Sequence, residues 1–289
     1  MQQIENDFIL VNINPLGAEL TRFFSKHTNE EYLWNGDAKF WGKHSPVLFP
    51  IIGTLKNNQY IFNDKTYQLG RHGFAREKVF TVIAKSASSL TFQLQQDHGT
   101  MAIFPFPFSF EIAYTLEEGT LQVSYRVKNT GYTTMYFSVG GHPAFKLPLT
   151  SGLAYEDYYL LFNKTEDAGR WPISADGLIE AAPLPLLQNT NRLPLNKSLF
   201  YKDAIVLKHL ASDEVQLRSD KTLAGMNFSF KGFPYLGIWA ARDADFICIE
   251  PWCGIADNVN ASQQLTEKEG IIPLPAGADF TRSWSVTIL

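Results

Sequence analysis

The chain has 289 residues, 45% of them hydrophobic and 14% aromatic, enough to bury a sizeable core in what reads as one β-rich domain spanning 1–289. Its formal net charge of −4 gives no electrostatic case for a nucleic-acid partner or an anionic membrane. No apolar run is long enough to cross a bilayer, and Met1-Gln2-Gln3-Ile4-Glu5-Asn6-Asp7 lacks the basic and apolar regions of a signal peptide. The only cysteines, Cys248 and Cys253, are too few and too close together for a disulfide framework, so the expectation is a soluble cytoplasmic protein.

Taken in chain order, the sequence reads almost entirely as strands. Candidates are Phe8 to Ile13, Lys78 to Ala84 and the alternating Leu90, Phe92 and Leu94. Phe104-Pro105-Phe106-Pro107-Phe108 reads as a strand lead-in packed on the core. Beyond it, Phe110, Ile112, Tyr114 and Leu116 alternate with more polar neighbours. After Glu118-Gly119 the pattern resumes at Leu121, Val123, Tyr125 and Val127, which predicts a hairpin with one buried face and a turn supplied by the glycine. Further strands are expected at Met135 to Val139, Tyr158 to Phe162, Ala204 to Leu207, Leu236 to Ala240, Phe246 to Ile249 and Trp284 to Ile288. The stretch from Thr150 to Leu199, richer in Pro, Asn and Gly, reads as loops over one face of a sheet. No segment sustains helical periodicity beyond two or three turns. The fold class is therefore all-β, an antiparallel sandwich or barrel with few short helices.

Two short stretches carry the chemistry. Gly140-Gly141-His142-Pro143 and Cys248-Ile249-Glu250-Pro251-Trp252 each set one titratable side chain at the end of a strand-like run. A carboxylate closing an apolar strand is partly desolvated, which raises its pKa and suits a general base. A strand-end glutamate paired with a nearby Arg or Lys is the competing reading. His72, in Gly70-Arg71-His72-Gly73-Phe74-Ala75-Arg76, shares the glycine-flanked setting of His142, against the alternative that such turns merely join strands. The remaining histidines lie in polar or strand-end contexts.

Other chemistries find less support. There is no His-x-His or Cys-x-x-Cys pair, and Cys248 and Cys253 look too isolated to bind a metal, which argues against a cupin-type metalloenzyme. No glycine spacing matches a phosphate loop or a dinucleotide fingerprint, and no Gly-x-Ser-x-Gly elbow is present.

Six segments occur in one order over nearly the whole length: Asn14-Pro-Leu-Gly17-Ala-Glu19-Leu, Pro46-Val-Leu-Phe-Pro50-Ile-Ile-Gly53, Arg71-His72-Gly-Phe-Ala-Arg76, Gly141-His142-Pro, Glu250-Pro-Trp and Gly254-Ile-Ala-Asp257. This set resembles the aldose 1-epimerase (mutarotase) superfamily, in particular its LacX-like bacterial branch. The resemblance implies the large antiparallel sandwich of the galactose mutarotase-like fold. It also implies interconversion of the α and β anomers of an aldose, with a small carbohydrate as partner and no cofactor or metal. By the same resemblance Glu250 matches the general base, His142 the general acid, and His72 a second histidine that holds the sugar near its ring oxygen. Asp203 falls where an acidic residue binds sugar hydroxyls. Gly53-Thr54-Leu55-Lys56 stands near where galactose mutarotases carry a substrate-binding arginine, a place that Arg76 or Lys56 can fill. Two alternatives stay open: the same chemistry on a sugar phosphate, suggested by Arg71, Arg76, Lys43 and Lys56, and a non-catalytic carbohydrate-binding protein.

Overall fold

A computed structural model describes residues 1–289. Its frame is a nine-stranded antiparallel sheet in which Leu184–Pro194, Tyr158–Arg170, Glu214–Ser219, Thr222–Ser229, Asp279–Ile288, Thr120–Asn129, Phe108–Glu117, Ser89–Gln95 and Thr81–Lys85 lie side by side in that order. The hairpin Phe108–Glu117/Thr120–Asn129 forms as its alternation predicts, with Leu116 opposite Leu121 and Glu117 opposite Thr120. Its apolar residues are buried on one face. The left-handed position of the turn is taken by Glu118 at φ 49°, not by Gly119. Phe104, Phe106 and Phe108 are all buried in the core, and the one α-helix is the single turn and a half His98–Ile103.

A second, six-stranded sheet positions the pocket. Ile205–Lys208, Tyr235–Trp239, Phe246–Cys253, Val139–Gly141 and Val47–Leu48 are neighbours in that order, and Ala144–Lys146 also pairs with Phe246–Cys253. Period-2 geometry divides its side chains between two faces. Ile205, Leu207, Leu236, Ile238, Ile247 and Ile249 join the inner face of the large sheet in one continuous cluster of 70 buried residues. Leu48, Val206, Tyr235 and Trp252 point the other way and form a separate cluster of eight with Ile52, Ile179, Ile255 and Ala256. That outward face is the pocket floor. No helix is long and apolar enough to cross a membrane.

Two expectations need correction. The Tyr158 strand does not stop at Phe162 but runs 13 residues to Arg170 and pairs with Leu184–Pro194, so much of the Thr150–Leu199 stretch is a long hairpin at the sheet edge. Pro185 and Pro194 disguise it, because proline withholds a ladder donor; an edge strand with register shifts tolerates that loss. The loop reading holds for residues 150–157 and 195–199 and for the connecting residues 171–183, part of which covers the pocket. Glu250 likewise does not close its strand: Phe246–Cys253 runs straight through it.

Candidate active site

The histidine and the glutamate face each other because of strand register. Gly140 pairs with Trp252 and Ala144 pairs with Cys248, so His142 lies directly opposite Glu250. The ladder is interrupted there, since His142-Pro143 belongs to neither flanking strand. The interruption frees the imidazole to turn to its neighbour: His142 Nε2 lies 3.3 Å from Glu250 Oε2. Both are buried, the glutamate almost completely. Trp41 stacks on the imidazole at 4.9 Å, while Trp239 and His72 meet it edge-on at 5.7 and 5.8 Å.

Burial sets the electrostatics. Desolvation pushes the Glu250 carboxyl well above the usual carboxylate range and Asp203 adds to the rise, while the Arg71 charge and the Trp252 indole pull the other way. Desolvation, with the Arg71 and Arg76 charges, lowers His142 to about 3, against a smaller opposing effect from its own backbone. Each group is thus held toward its neutral form. Glu250 Oε2, His142 Nδ1 and Trp252 Nε1 have no hydrogen-bond partner within the chain, a costly condition unless a ligand supplies partners.

His72 has a defined tautomer. The Gly53 N–H donates to its Nδ1 at 3.0 Å, and the His72 N–H donates back to the Gly53 carbonyl at 2.9 Å. With Nδ1 accepting, the ring proton must sit on Nε2 as a donor. The residue takes φ 67°, a left-handed conformation that costs about 1–3 kcal/mol outside glycine and is held by its surroundings. Asp203 is also left-handed, at φ 91°; its Oδ1 accepts from the Ala204 N–H at 2.7 Å and lies 3.7 Å from Arg71.

His72, Arg76, His142, Asp203 and Glu250 all line one cavity of about 660 Å³, a size suited to a small ligand. Arg76 is half-buried, its Nη2 donating to the Arg71 carbonyl at 2.9 Å, while its Nε lies 3.9 Å from Glu77 Oε1 and makes no hydrogen bond. Lys56 is not brought there. Its Nζ donates to the Val259 carbonyl at 2.9 Å and its backbone N–H to Asp257 Oδ2, away from the cavity. Lys43 does not line it either. Asp257 is structural: it also pairs with buried Lys268 at 2.7 Å, fixing the segment whose Ala256 packs against Gly53 on the pocket wall. Gly53, at φ 68°, leaves only 2.4 Å between its absent Cβ and that of Ala256.

Several lining residues carried no sequence signal. Trp41 and Trp239 frame His142, and Lys202 and Arg242 stand on the rim. Ile173, Ser174, Ala175, Gly177 and Ile179 form the roof, tied down where the Ile179 N–H donates to the Asp257 carbonyl. Lys202 could have been noticed beside Asp203; Trp41 and Arg242 arrive on loops, and the others through folding of segments remote in sequence. Cys248 is not isolated as its sequence context suggested: one ligand atom each from His142, Cys248 and Glu250 lie within 4.8 Å of one another.

A sequence-family model described as aldose 1-epimerase matches residues 1–269. The chain is 33% identical to the chromosomal LacX protein of Lactococcus lactis subsp. lactis, over 99% of both sequences. Among solved structures it is similar to a galactose mutarotase related enzyme from Lactobacillus acidophilus, with 37% identity, a TM-score of 0.95, and coverage of 100% of this chain and 97% of the other. A galactose mutarotase-like protein from Lactobacillus casei ATCC 334 aligns over 100% of both chains with 33% identity and a TM-score of 0.94.

Proposed function

The chain belongs to the aldose 1-epimerase family, and on that premise we propose that it is a mutarotase that interconverts the α and β anomers of a free aldose. The observation that carries this reading is the His142–Glu250 pair, 3.3 Å apart on the floor of a sugar-sized cavity. Two oxygens attached to one carbon, the anomeric hydroxyl and the ring oxygen, can each be met by one member of such a pair.

In the forward direction Glu250 takes the proton of the anomeric hydroxyl while His142 delivers one to the ring oxygen. The bond from C1 to the ring oxygen breaks, leaving an open-chain aldehyde. Rotation about C1–C2 presents the other face, the ring hydroxyl attacks it, and the two groups reverse roles. One proton leaves the pair as another arrives, so its total charge does not change. That suits a site where burial penalises both charged forms. Arg71, which favours the carboxylate, and the hydroxyls of an arriving sugar shift the proton from Glu250 toward the imidazole. Positioned proton transfer of this kind contributes about 10²–10⁴-fold per group.

The supporting groups have separate tasks. His72 presents its Nε2–H to the ring-oxygen side, Asp203 accepts from sugar hydroxyls, and Arg76 holds the far side of the ring. Trp41 and Trp239 give apolar faces against which C–H surfaces of a sugar can stack. Magnetisation-exchange NMR on a panel of aldoses tests the reading directly. Anomer exchange accelerated by the protein supports it, whereas line broadening from binding without exchange would make the chain a carbohydrate-binding protein.

A second reading concerns the substrate's charge. Although the chain carries −4 overall, Arg71, Arg76, Lys202 and Arg242 line the cavity against only Asp203 and Glu250. A local excess of cations favours a sugar bearing phosphate or carboxylate, recognised through charge-assisted hydrogen bonds.

A further inference from the structure

We propose that Cys248, His142 and Glu250 together form a binding site for a thiophilic divalent cation of the zinc class, whose occupation silences the acid–base pair. The binding follows from the geometry alone; the silencing depends on the mutarotase reading above.

Cys248 and Glu250 are two residues apart on the Phe246–Cys253 strand, so their side chains project from the same face, and His142 reaches that face from the break between the two strands opposite. One donor atom from each lies within 4.8 Å of the other two, and all three residues are buried. The His142 Nε2 to Glu250 Oε2 separation is 3.3 Å. Two ligands bound at about 2.0–2.1 Å on a tetrahedral zinc are separated by roughly that length, so this edge is already formed. The Cys248 Sγ, within 4.8 Å of the other two donors, has to draw in to about 2.3 Å of the ion. Glu250 Oε2 has no hydrogen-bond partner within the chain, so its lone pairs are not committed elsewhere.

The donor set is selective. Thiolate with imidazole and carboxylate suits zinc, cadmium or cobalt, whereas calcium and magnesium prefer oxygen alone. Three protein ligands leave a fourth position, and since His142 and Glu250 line the cavity, water or a sugar hydroxyl from it can complete the shell. As the bonds form, the Cys248 thiol releases its proton to solvent, as does the Glu250 carboxyl when protonated; nothing is oxidised or reduced. The bound cation occupies the lone pairs of His142 Nε2 and Glu250 Oε2, so neither can move a proton. Cys253, five residues on, has the opposite strand parity and lies beside Arg282, away from the pair.

The test uses zinc and cobalt salts on the whole protein in chelator-free buffer. Cobalt should produce a thiolate-to-metal charge-transfer band in wild type and in Cys253→Ala, and none in Cys248→Ala. Zinc should inhibit anomer exchange in competition with sugar, and Cys248→Ala should raise the inhibitory concentration by about tenfold or more with little change in the metal-free rate. Cys248→Ser, which preserves volume but offers a poor ligand, should behave as the alanine variant does. A wild-type protein that binds cobalt without the thiolate band, or equal zinc inhibition of wild type and both Cys248 variants, overturns the site. The cobalt band is independent of turnover, so its loss or presence is separate from any failure of the mutarotase reading.

Discussion

Gly237 lies directly opposite Glu250 across the sheet, and the Cβ it lacks would sit 2.4 Å from the Trp252 indole. Gly140, on the other side of the same strand, leaves 2.9 Å to that indole. The ring therefore rests in a slot floored by two glycines, beside the carboxylate. Gly237→Ala should displace Trp252, destabilise the protein by about 1–3 kcal/mol and lower the rate of anomer exchange. Thermal unfolding and exchange kinetics check it; an alanine variant with unchanged melting and rate would mean that the indole can move without consequence.

The acid–base pair should fail as a unit. Glu250→Gln and His142→Asn should each lower kcat by about 10²-fold or more while circular dichroism and melting remain close to wild type. The double variant should lose little beyond either single one, because the two groups serve one proton circuit. A single variant that keeps more than about a tenth of the rate contradicts a proton-transfer role of this size.

His72 and Arg76 should show the signature of positioning. Alanine at either position should raise KM as well as lower kcat, by about tenfold in combined effect, since each orients the sugar without itself moving the proton. Unchanged sugar binding in both variants would reduce the Arg71–Arg76 segment to a structural turn.

His72 also makes a prediction about acid stability. Burial, helped by nearby positive groups, holds its pKa well below the ordinary 6.5, so the unfolded chain binds a proton that the folded one refuses. Its contribution is fully present above the unfolded value and is lost as pH falls below about 6.5. His142 acts in the same direction, while Glu250, whose carboxyl is raised, gains stability on the acid side and partly offsets them. His72→Gln should therefore flatten the dependence of unfolding free energy on pH between about 7 and 5, measured by urea titration. An unaltered slope would mean that the ring is protonated in the folded protein.

The charge of the substrate is decided by comparing glucose, galactose and their 6-phosphates at low and moderate salt. For a free-aldose enzyme the phosphates should turn over no faster than the parent sugars. A phosphate preference of about tenfold or more that shrinks with salt would transfer the assignment to the second reading, and Lys202→Ala or Arg242→Ala should then reduce that preference.

Alternation along Phe110–Leu116 and Leu121–Val127 was enough to read a half-buried hairpin, because period 2 is a local property of the chain. The edge hairpin Tyr158–Arg170/Leu184–Pro194 was hidden for an equally local reason: its prolines and register shifts break the pattern on which such a reading depends. His142 and Glu250 stood out through their glycine and proline neighbours. What makes them a pair, the common register of Gly140–Trp252 and Ala144–Cys248, belongs to strands more than a hundred residues apart. Trp41, Lys202 and Arg242 reach the cavity from loops, where neither periodicity nor spacing reports direction. Lys43 and Lys56 were plausible by nearness in sequence to pocket segments, and that nearness did not carry into space.

The interrupted ladder at His142-Pro143 has a consequence for how such a protein can change. Because strands on both sides clamp the interruption in one register, the distance between His142 and Glu250 is inherited from the sheet and not from any loop. Lys202, Arg242 and the Ile173–Ile179 roof hang from loops above it. Insertions or replacements in those loops can remodel what is admitted while the spacing below stays as the backbone sets it. A designer seeking a new sugar should vary the rim freely and leave the two flanking ladders alone.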